Sequence, residues 1–266
     1  MILIKKKHKH NFLFFIIFFN SFFLVKKFLS NSKNYENKNS IHKKKLYEIS
    51  MHRIMKIMSR SVFISFEGSE GCGKTTQINL LKNYFESIKR EYVITREPGG
   101  SKLSEQIRNL LLDSSSNICS RAELLLFAAA RTQHVEETIR PALSSNKIVL
   151  CDRFYDSTTA YQGAARKLNF ADVNYVNDFA VDSVMPDVTF LMDIDPQLGL
   201  VRASKRDNNV SDRMGSQKLE FYTLVRNSFL EIAKKNPQRF IIIDASKNPD
   251  EIFEEIKKSI EKFLDE

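Results

Sequence analysis

Val62-Phe63-Ile64-Ser65-Phe66 is followed, one residue later, by Gly68-Ser69-Glu70-Gly71-Cys72-Gly73-Lys74-Thr75 and then by a helical run over 76–88. The first segment is short, apolar and rich in β-branched and aromatic residues, which predicts a strand buried on both faces. The second matches G-x-x-x-x-G-K-[ST], and the chemistry of phosphate binding accounts for each of its parts. Glycines let the backbone wrap closely around an anion with its N–H groups turned inward. The N-terminus of the following helix adds partial positive charge at the same place. Lys74 is long enough to reach the β- and γ-oxygens of a nucleotide, and the Thr75 hydroxyl suits Mg²⁺. Gly68 to Thr75, together with Thr76, are therefore expected to hold the phosphates of a nucleotide. Cys72 reads as a small loop residue rather than a reactive thiol.

Working outward, the strand–punctuation–helix pattern repeats. Four further apolar runs, at 92–95, 148–151, 188–194 and 240–243, read as buried strands, with longer segments of helical period between them. Near the C-terminus Ile252, Phe253, Ile256, Ile260, Phe263 and Leu264 form one apolar stripe, and Pro249 and Asp250 signal the start of that helix. Strand–helix alternation of this kind predicts an α/β fold of the P-loop NTPase class: a five-stranded parallel sheet flanked by helices, with ligands beyond the carboxyl ends of the strands. One domain over residues 61–266 suffices, and no internal repeat is present.

A phosphate loop alone does not name a reaction. No N-K-x-D guanine motif occurs, because Asn146-Lys147-Ile148-Val149 lacks the acid, and Asp212-Arg213-Met214-Gly215 lies too late in the chain for a GTPase switch. A second anion site is suggested instead. Thr95-Arg96-Glu97-Pro98-Gly99-Gly100 leaves the second strand as a rigid turn, and a helix at 103–112 carries Arg108. The third strand ends in Asp152-Arg153-Phe154. Asp152 is placed to hold Mg²⁺ or its waters, and the Arg153 guanidinium can fork onto a phosphate. Thr158, Tyr161 and Gln162 share one helix face, as do Phe127 and Arg131 on a helix at 121–139.

These motifs carry a family resemblance. The strand with E-G-x-x-G-x-G-K-T-T, T-R-E-P-G-G, L-L-L-F-A-A-A-R, the D-R-F-Y-x-S-T-x-A-Y-Q-G stretch and D-A-S near the end occur in order over residues 62–264 and resemble the bacterial form of thymidylate kinase. The resemblance implies a nucleoside-monophosphate kinase that uses ATP, Mg²⁺ and thymidine 5′-monophosphate (dTMP), with a mobile lid and a homodimeric assembly. It implies that Phe127 stacks on thymine, and that Arg131 donates to the 4-carbonyl of the base, which the 4-amino group of cytosine could not accept. Arg108 and Arg153 would bind the monophosphate, Glu97 and Pro98 would shape the pocket floor, and Thr158 and Gln162 would contact the base edge. Tyr161 would crowd the 2′ carbon, and Glu70 would sit near the 3′-hydroxyl and Mg²⁺. The eukaryotic cytosolic form carries an arginine at the loop position held here by Gly71. Bacterial forms place catalytic arginine in the lid, which here corresponds to Arg202–Met214, and arginines of this kind are worth about 10³–10⁵ in rate. Arg202, Arg206 and Arg213 are the candidates, with Lys74, Asp152 and Arg153 completing the catalytic set. Arg202 is also assigned to ATP, as are Ala245 and Ser246, which look like the loop beside adenine. Rival readings are a kinase for uridylate or guanylate, and a nucleotide-driven switch without group transfer.

The overall charge points elsewhere. The chain has 266 residues and a formal charge of +9, but residues 1–60 hold 14 basic and two acidic residues, and the rest is slightly acidic. A basic opening, an apolar stretch at 12–25 and an acid-poor Lys/Asn/Ser segment resemble a two-part leader for a plastid of secondary origin. A mitochondrial address, a retained membrane anchor, and a start at Met51, Met55 or Met58 are the alternatives. No nucleic-acid partner is expected of the catalytic part, nor a membrane once the leader is removed. Three unevenly spaced cysteines and a single histidine beyond the leader suggest neither a disulfide framework nor a histidine metal cluster.

Overall fold

The structure, a computed structural model, describes residues 60–206, 213–215 and 217–265. The expected leader and part of the expected lid lie outside the described residues, as does the side chain of Arg206. In chain order the elements are β1 (Val62–Glu67), α1 (Lys74–Ser87), β2 (Tyr92–Arg96), α2 (Lys102–Leu112) and α3 (Ser120–His134). The π-helical turn Val135–Ile139 carries α3 into α4 (Arg140–Ser144), which is followed by β3 (Ile148–Asp152). Then come α5 (Tyr155–Thr158) with a π-helical turn Thr159–Ala165, α6 (Phe170–Val181), β4 (Val188–Asp193), α7 (Pro196–Arg206), α8 (Leu219–Lys235), β5 (Phe240–Asp244) and α9 (Pro249–Asp265).

The five strands form one sheet in the order β2-β3-β1-β4-β5, and every pairing is parallel. Each strand is crossed by helices, so both faces are covered and the strands have no need of polar alternation. On one face Ile64, Phe66, Ile148, Leu150, Val188 and Phe190 pack with Ile78, Leu81 and Phe85 of α1 and Ile252, Ile256 and Ile260 of α9. The predicted C-terminal stripe is thus the side of α9 that faces the sheet. On the other face Phe63, Val149 and Cys151 pack with Val135, Ile139, Ala142 and Phe154. Each fully buried aliphatic or aromatic side chain here contributes roughly 1.5–3 kcal/mol relative to exposure.

Register aligns the carboxyl ends. Phe66 pairs with Asp152, Arg96 also pairs with Asp152, and Asp193 pairs with Asp244. The charged residue that closes each of β2, β3, β4 and β5 therefore stands along one edge of the sheet, where the phosphate loop also emerges.

Two local differences from the sequence reading matter for the site. Helix α1 begins at Lys74, two residues earlier than periodicity implied, because Gly73 adopts a left-handed conformation (φ 91°) that turns the loop directly into the helix. The face bearing Thr158, Tyr161 and Gln162 is only partly α-helical. From Thr159 the chain winds as a π-helical turn, a feature frequent at functional sites.

Candidate active site

A cavity of about 1460 Å³ lies along the carboxyl edge of the sheet. Its wall includes Glu70, Gly71, Cys72, Gly73, Lys74, Thr75 and Thr76 of the loop, Arg202 and Ala245, and Asp152 and Arg153 from the end of β3. It also includes Glu97, Pro98, Arg108, Phe127, Arg131, Thr158, Tyr161 and Gln162. Both halves of the expected site therefore open into one space. Gly68, Ser69 and Ser246 are not part of the wall, and their backbone oxygens accept from Lys74, Arg153 and Arg202.

The loop closes on its lysine. Lys74 Nζ donates to the carbonyls of Ser69 (3.1 Å) and Gly68 (3.3 Å), and lies 3.4 Å from Cys72 Sγ. Its ammonium is held at the mouth of α1, where the helix dipole also favours an anion. Gly71, at φ 69°, rests against α7: a Cβ there would run into the Gly199 carbonyl oxygen, and a Cβ on Gly199 would meet Glu70 O at 2.5 Å. Thr75 Oγ1 donates to Asp152 Oδ2 at 2.9 Å, which joins the two residues expected to serve Mg²⁺. Hydroxyl and carboxylate oxygens are the hard ligands that this ion takes, usually one or two beside its waters and phosphates. Among the described residues there is no group of three or more His, Cys, Asp or Glu able to hold a metal.

Arg153 sits in the left-handed region (φ 69°), so its side chain turns back over the loop. Its Nη1 donates to Gly68 O (2.8 Å), its Nη2 to Glu70 Oε1 (2.8 Å), and the guanidinium lies 5.1 Å from the centre of the Tyr161 ring. Burial works against its charge, but Tyr161, Glu70, Asp152 and Glu67 outweigh it and hold the guanidinium well above its ordinary value. The Tyr161 hydroxyl is pushed up, chiefly by burial, so it remains a donor.

Arg131 is 1% exposed and heavily engaged. Its Nε donates to Glu97 Oε2 (2.7 Å), its Nη1 to Thr158 Oγ1 (2.9 Å) and Asn177 Oδ1 (2.6 Å), and its Nη2 to the Phe154 carbonyl (3.0 Å). Four of five N–H groups are committed, which leaves one at Nη2 for a ligand. Glu97 also contacts His134 Nδ1 at 3.0 Å, and His134 Nε2 lies 2.6 Å from Thr95 Oγ1. Gly100 (φ 84°) has to be a glycine here, because a Cβ would meet the His134 ring and Thr95 Oγ1. Arg108 Nη1 donates to Pro98 O at 2.8 Å, tying α2 to the turn around the cis Glu97–Pro98 bond.

The arginines of the expected lid separate. Arg202 donates to the carbonyls of Ala245 (2.8 Å) and Ser246 (3.3 Å), so it joins the loop after β5 assigned to the adenine side. The sequence reading places Arg213 among the catalytic groups; in the structure its guanidinium lies against Glu123. Its Nη1 pairs with Glu123 Oε2 at 2.6 Å and its Nε donates to Leu111 O at 2.7 Å, and it is not part of the cavity wall.

Sequence reasoning missed Glu67, Glu123, His134 and Asn177. Glu123 precedes Phe127 and Arg131 at intervals of four, so the same helix face that revealed those two contained its signal. Glu67 closes β1 and is fully buried. Its carboxylate accepts from Phe154 N (2.8 Å), Ser157 N (3.3 Å) and Ser157 Oγ (2.6 Å), and so fixes the turn that carries Arg153. Burial, and then the charge of Asp156, push the Glu67 carboxyl up to about 7 against the opposing effects of Ser157, Arg153 and Phe154. The folded chain thus binds this proton more tightly than the unfolded one. The resulting stability is fully present below about pH 4.5 and is lost as pH rises through 7, in all about 3 kcal/mol. Urea denaturation between pH 5 and 8 is expected to show this decline, and Glu67→Gln to flatten it.

Comparison with known proteins identifies the family. Residues 66–256 match the family model described as Thymidylate kinase. A thymidylate kinase of Lactobacillus helveticus is 44% identical over 209 residues, covering 78% of this chain and 99% of the relative. One of Pelobacter propionicus is 49% identical over 199 residues, covering 73% and 91%. The crystal structure of thymidylate kinase from Ehrlichia chaffeensis superposes with a TM-score of 0.62 at 39% identity, covering 76% of this chain and 99% of that one. With its loop, its β3 terminus and its arginine-lined cavity in this arrangement, the chain belongs to the thymidylate kinase family.

Proposed function

We propose that this chain transfers the γ-phosphoryl group of ATP to dTMP, forming dTDP for dTTP synthesis, and that the residues named above divide that work. The observation that carries the reading is the shared cavity, in which the Lys74 loop and the Arg153–Tyr161–Arg131 wall face one space. Phosphoryl transfer asks a protein for positioning and charge neutralisation more than for covalent chemistry. Lys74 and the N-terminus of α1 take the donor phosphates. Arg153, with Arg108, takes the acceptor phosphate, and Arg153 is already tied to the loop through Gly68 O. Thr75 and Asp152 would hold Mg²⁺, which supplies neutralisation of charge between donor and acceptor. Arg202 and the Ala245–Ser246 loop flank adenine, and Arg206 remains the lid candidate for charge on the transferring group. Phe127 stacks on the base, and Nη2 of Arg131 donates to its 4-carbonyl, with Thr158 and Gln162 along the same edge.

The test is direct. Purified protein with ATP and Mg²⁺ is expected to form dTDP from dTMP, to lose that activity when EDTA removes the metal, and to prefer dTMP to guanylate. A preference for guanylate would sink the role given to Arg131, and ATP hydrolysis indifferent to dTMP would favour a switch.

Two further assignments belong to the same proposal. Leu125 of α3 and Phe170, Tyr175 and Phe179 of the adjoining α6 are exposed, Tyr175 and Phe179 by about three-quarters. An apolar patch on neighbouring helices suits a homodimer, and sedimentation at micromolar concentration is expected to give twice the chain mass. The composition of residues 1–60 supports delivery to a plastid-like organelle. Among the described residues no helix is long and apolar enough to cross a membrane. A fluorescent reporter carrying residues 1–60 is expected to enter an organelle, and a diffuse cytosolic signal would count against delivery.

A further inference from the structure

Gln162 is 1% exposed and lines the cavity. Its Nε2 donates to Glu123 Oε1 at 2.8 Å. Glu123 is also 1% exposed, and it accepts from Arg166 Nε (3.2 Å) and Nη2 (3.3 Å) and from Arg213 Nη1 (2.6 Å). Burial works to raise its carboxyl, but the hydrogen bonds from Gln162 and Arg213 and the charge of Arg166 outweigh it and keep the group ionised. An ionised carboxylate has acceptors only. The amide of Gln162 must therefore turn its NH₂ towards Glu123, and the hydrogen-bond network leaves no choice of flip. Its Oε1 is the end left for a ligand in the cavity.

We infer that Glu123 is a specificity-determining positioning residue: by capturing the NH₂ of Gln162 it fixes a carbonyl acceptor opposite N3 of the bound pyrimidine. This rests on the proposed placement of the base edge against Arg131 and Gln162, and it deepens that reading. Arg131 Nη2 then presents a donor and Gln162 Oε1 an acceptor. Thymine and uracil offer the complement, a 4-carbonyl acceptor and an N3–H donor. Cytosine offers the reverse at both positions, a 4-amino donor and an N3 acceptor. Arginine alone opposes one of the two mismatches; Glu123, through Gln162, supplies the other. Sites that impose unpaired polar groups on the wrong ligand discriminate far more strongly than apolar pockets do.

The test compares kcat/KM for dTMP, dUMP and dCMP in the wild type, E123Q and Gln162→Leu. In E123Q the two arginines still require the oxygen of the new amide, so its NH₂ faces Gln162 and the Gln162 amide turns over. The dTMP-to-dCMP ratio is expected to fall about tenfold or more, with the dTMP-to-dUMP ratio unchanged, because those bases share this edge. A loss of stability alone would move all three substrates together. If Gln162→Leu loses discrimination while E123Q keeps it, the orientation by Glu123 is overturned and the base contact stands. If both keep it, the placement of the base edge falls, and the inference with it. Should E123Q fail to fold, the wild-type Gln162 side-chain NH₂ resonances decide. Their ¹⁵N is expected to show no coupling across a hydrogen bond to N3 of isotope-labelled dTMP, and such a coupling would show the NH₂ facing the base.

Discussion

Lys74→Met is expected to abolish most of the transfer activity while leaving the fold intact. Methionine keeps most of the stem volume but removes the ammonium, which in the structure lies 3.1 and 3.3 Å from two loop carbonyls at the mouth of α1. No buried ion pair depends on Lys74 among the described residues, so no acid is stranded by the change. What is lost is a positive charge fixed where charge develops on the donor phosphates. Removing one such preorganised donor costs about 10²–10³ in kcat, roughly 3–4 kcal/mol. Coupled detection of ADP release at saturating dTMP would measure it, and the melting temperature would remain within a few degrees of the parent. A variant retaining near-parental kcat would remove the loop from the mechanism.

Arg131→Leu should produce a large effect of the opposite kind, on stability. The guanidinium satisfies Glu97, Thr158, Asn177 and the Phe154 carbonyl at once in a space that is 1% exposed. Leucine has part of the volume and none of the donors. The Glu97 carboxylate would keep only its contact with His134 Nδ1 among the hydrogen bonds of the described residues, and Thr158 Oγ1 and Asn177 Oδ1 would lose their donor, while the Phe154 carbonyl keeps Ser157 N. Breaking a buried pair from one side costs about 3–5 kcal/mol, which for a domain of this size lowers the melting temperature by roughly 10 °C. Calorimetry checks the stability, and dTMP titration checks the accompanying loss of the 4-carbonyl contact. Unchanged stability would mean that the Glu97–Arg131–His134 cluster contributes little to holding the three segments together.

The parts of the site that the sequence revealed are those in which chemistry and backbone coincide over a few consecutive residues. The Gly68–Thr75 loop, the Asp152-Arg153 pair and the turn at Glu97-Pro98 each follow a strand directly, so position and role could be read together. Arg108, Phe127 and Arg131 needed only helix spacing and the family likeness. Glu67 was not legible, because its partners lie about 90 residues away, whereas Glu123 shared the helix face of Phe127 and Arg131 and only its partners, about 40 to 90 residues away, were hidden. For Arg213 the difficulty was reversed. Its neighbours along the chain suggested a phosphate, whereas in the structure its guanidinium lies against the Glu123 carboxylate, 90 residues away along the chain. The π-helical winding after Thr158 could not be seen either, since hydrophobic periodicity does not distinguish it from an α-turn over so few residues.

The contact between Gly71 and Gly199 has a consequence for how such enzymes can change over evolutionary time. An arginine at position 71, as in the eukaryotic cytosolic form, would require α7 to withdraw, and α7 is the helix that leads towards the lid. A single substitution here would place the new arginine and disturb the old arrangement in the same step. A side chain at position 71 is therefore expected to demand a compensating change in α7. Recombining a loop from one branch with a lid from the other should fail unless the residue at 199 and the path of its helix are exchanged with them.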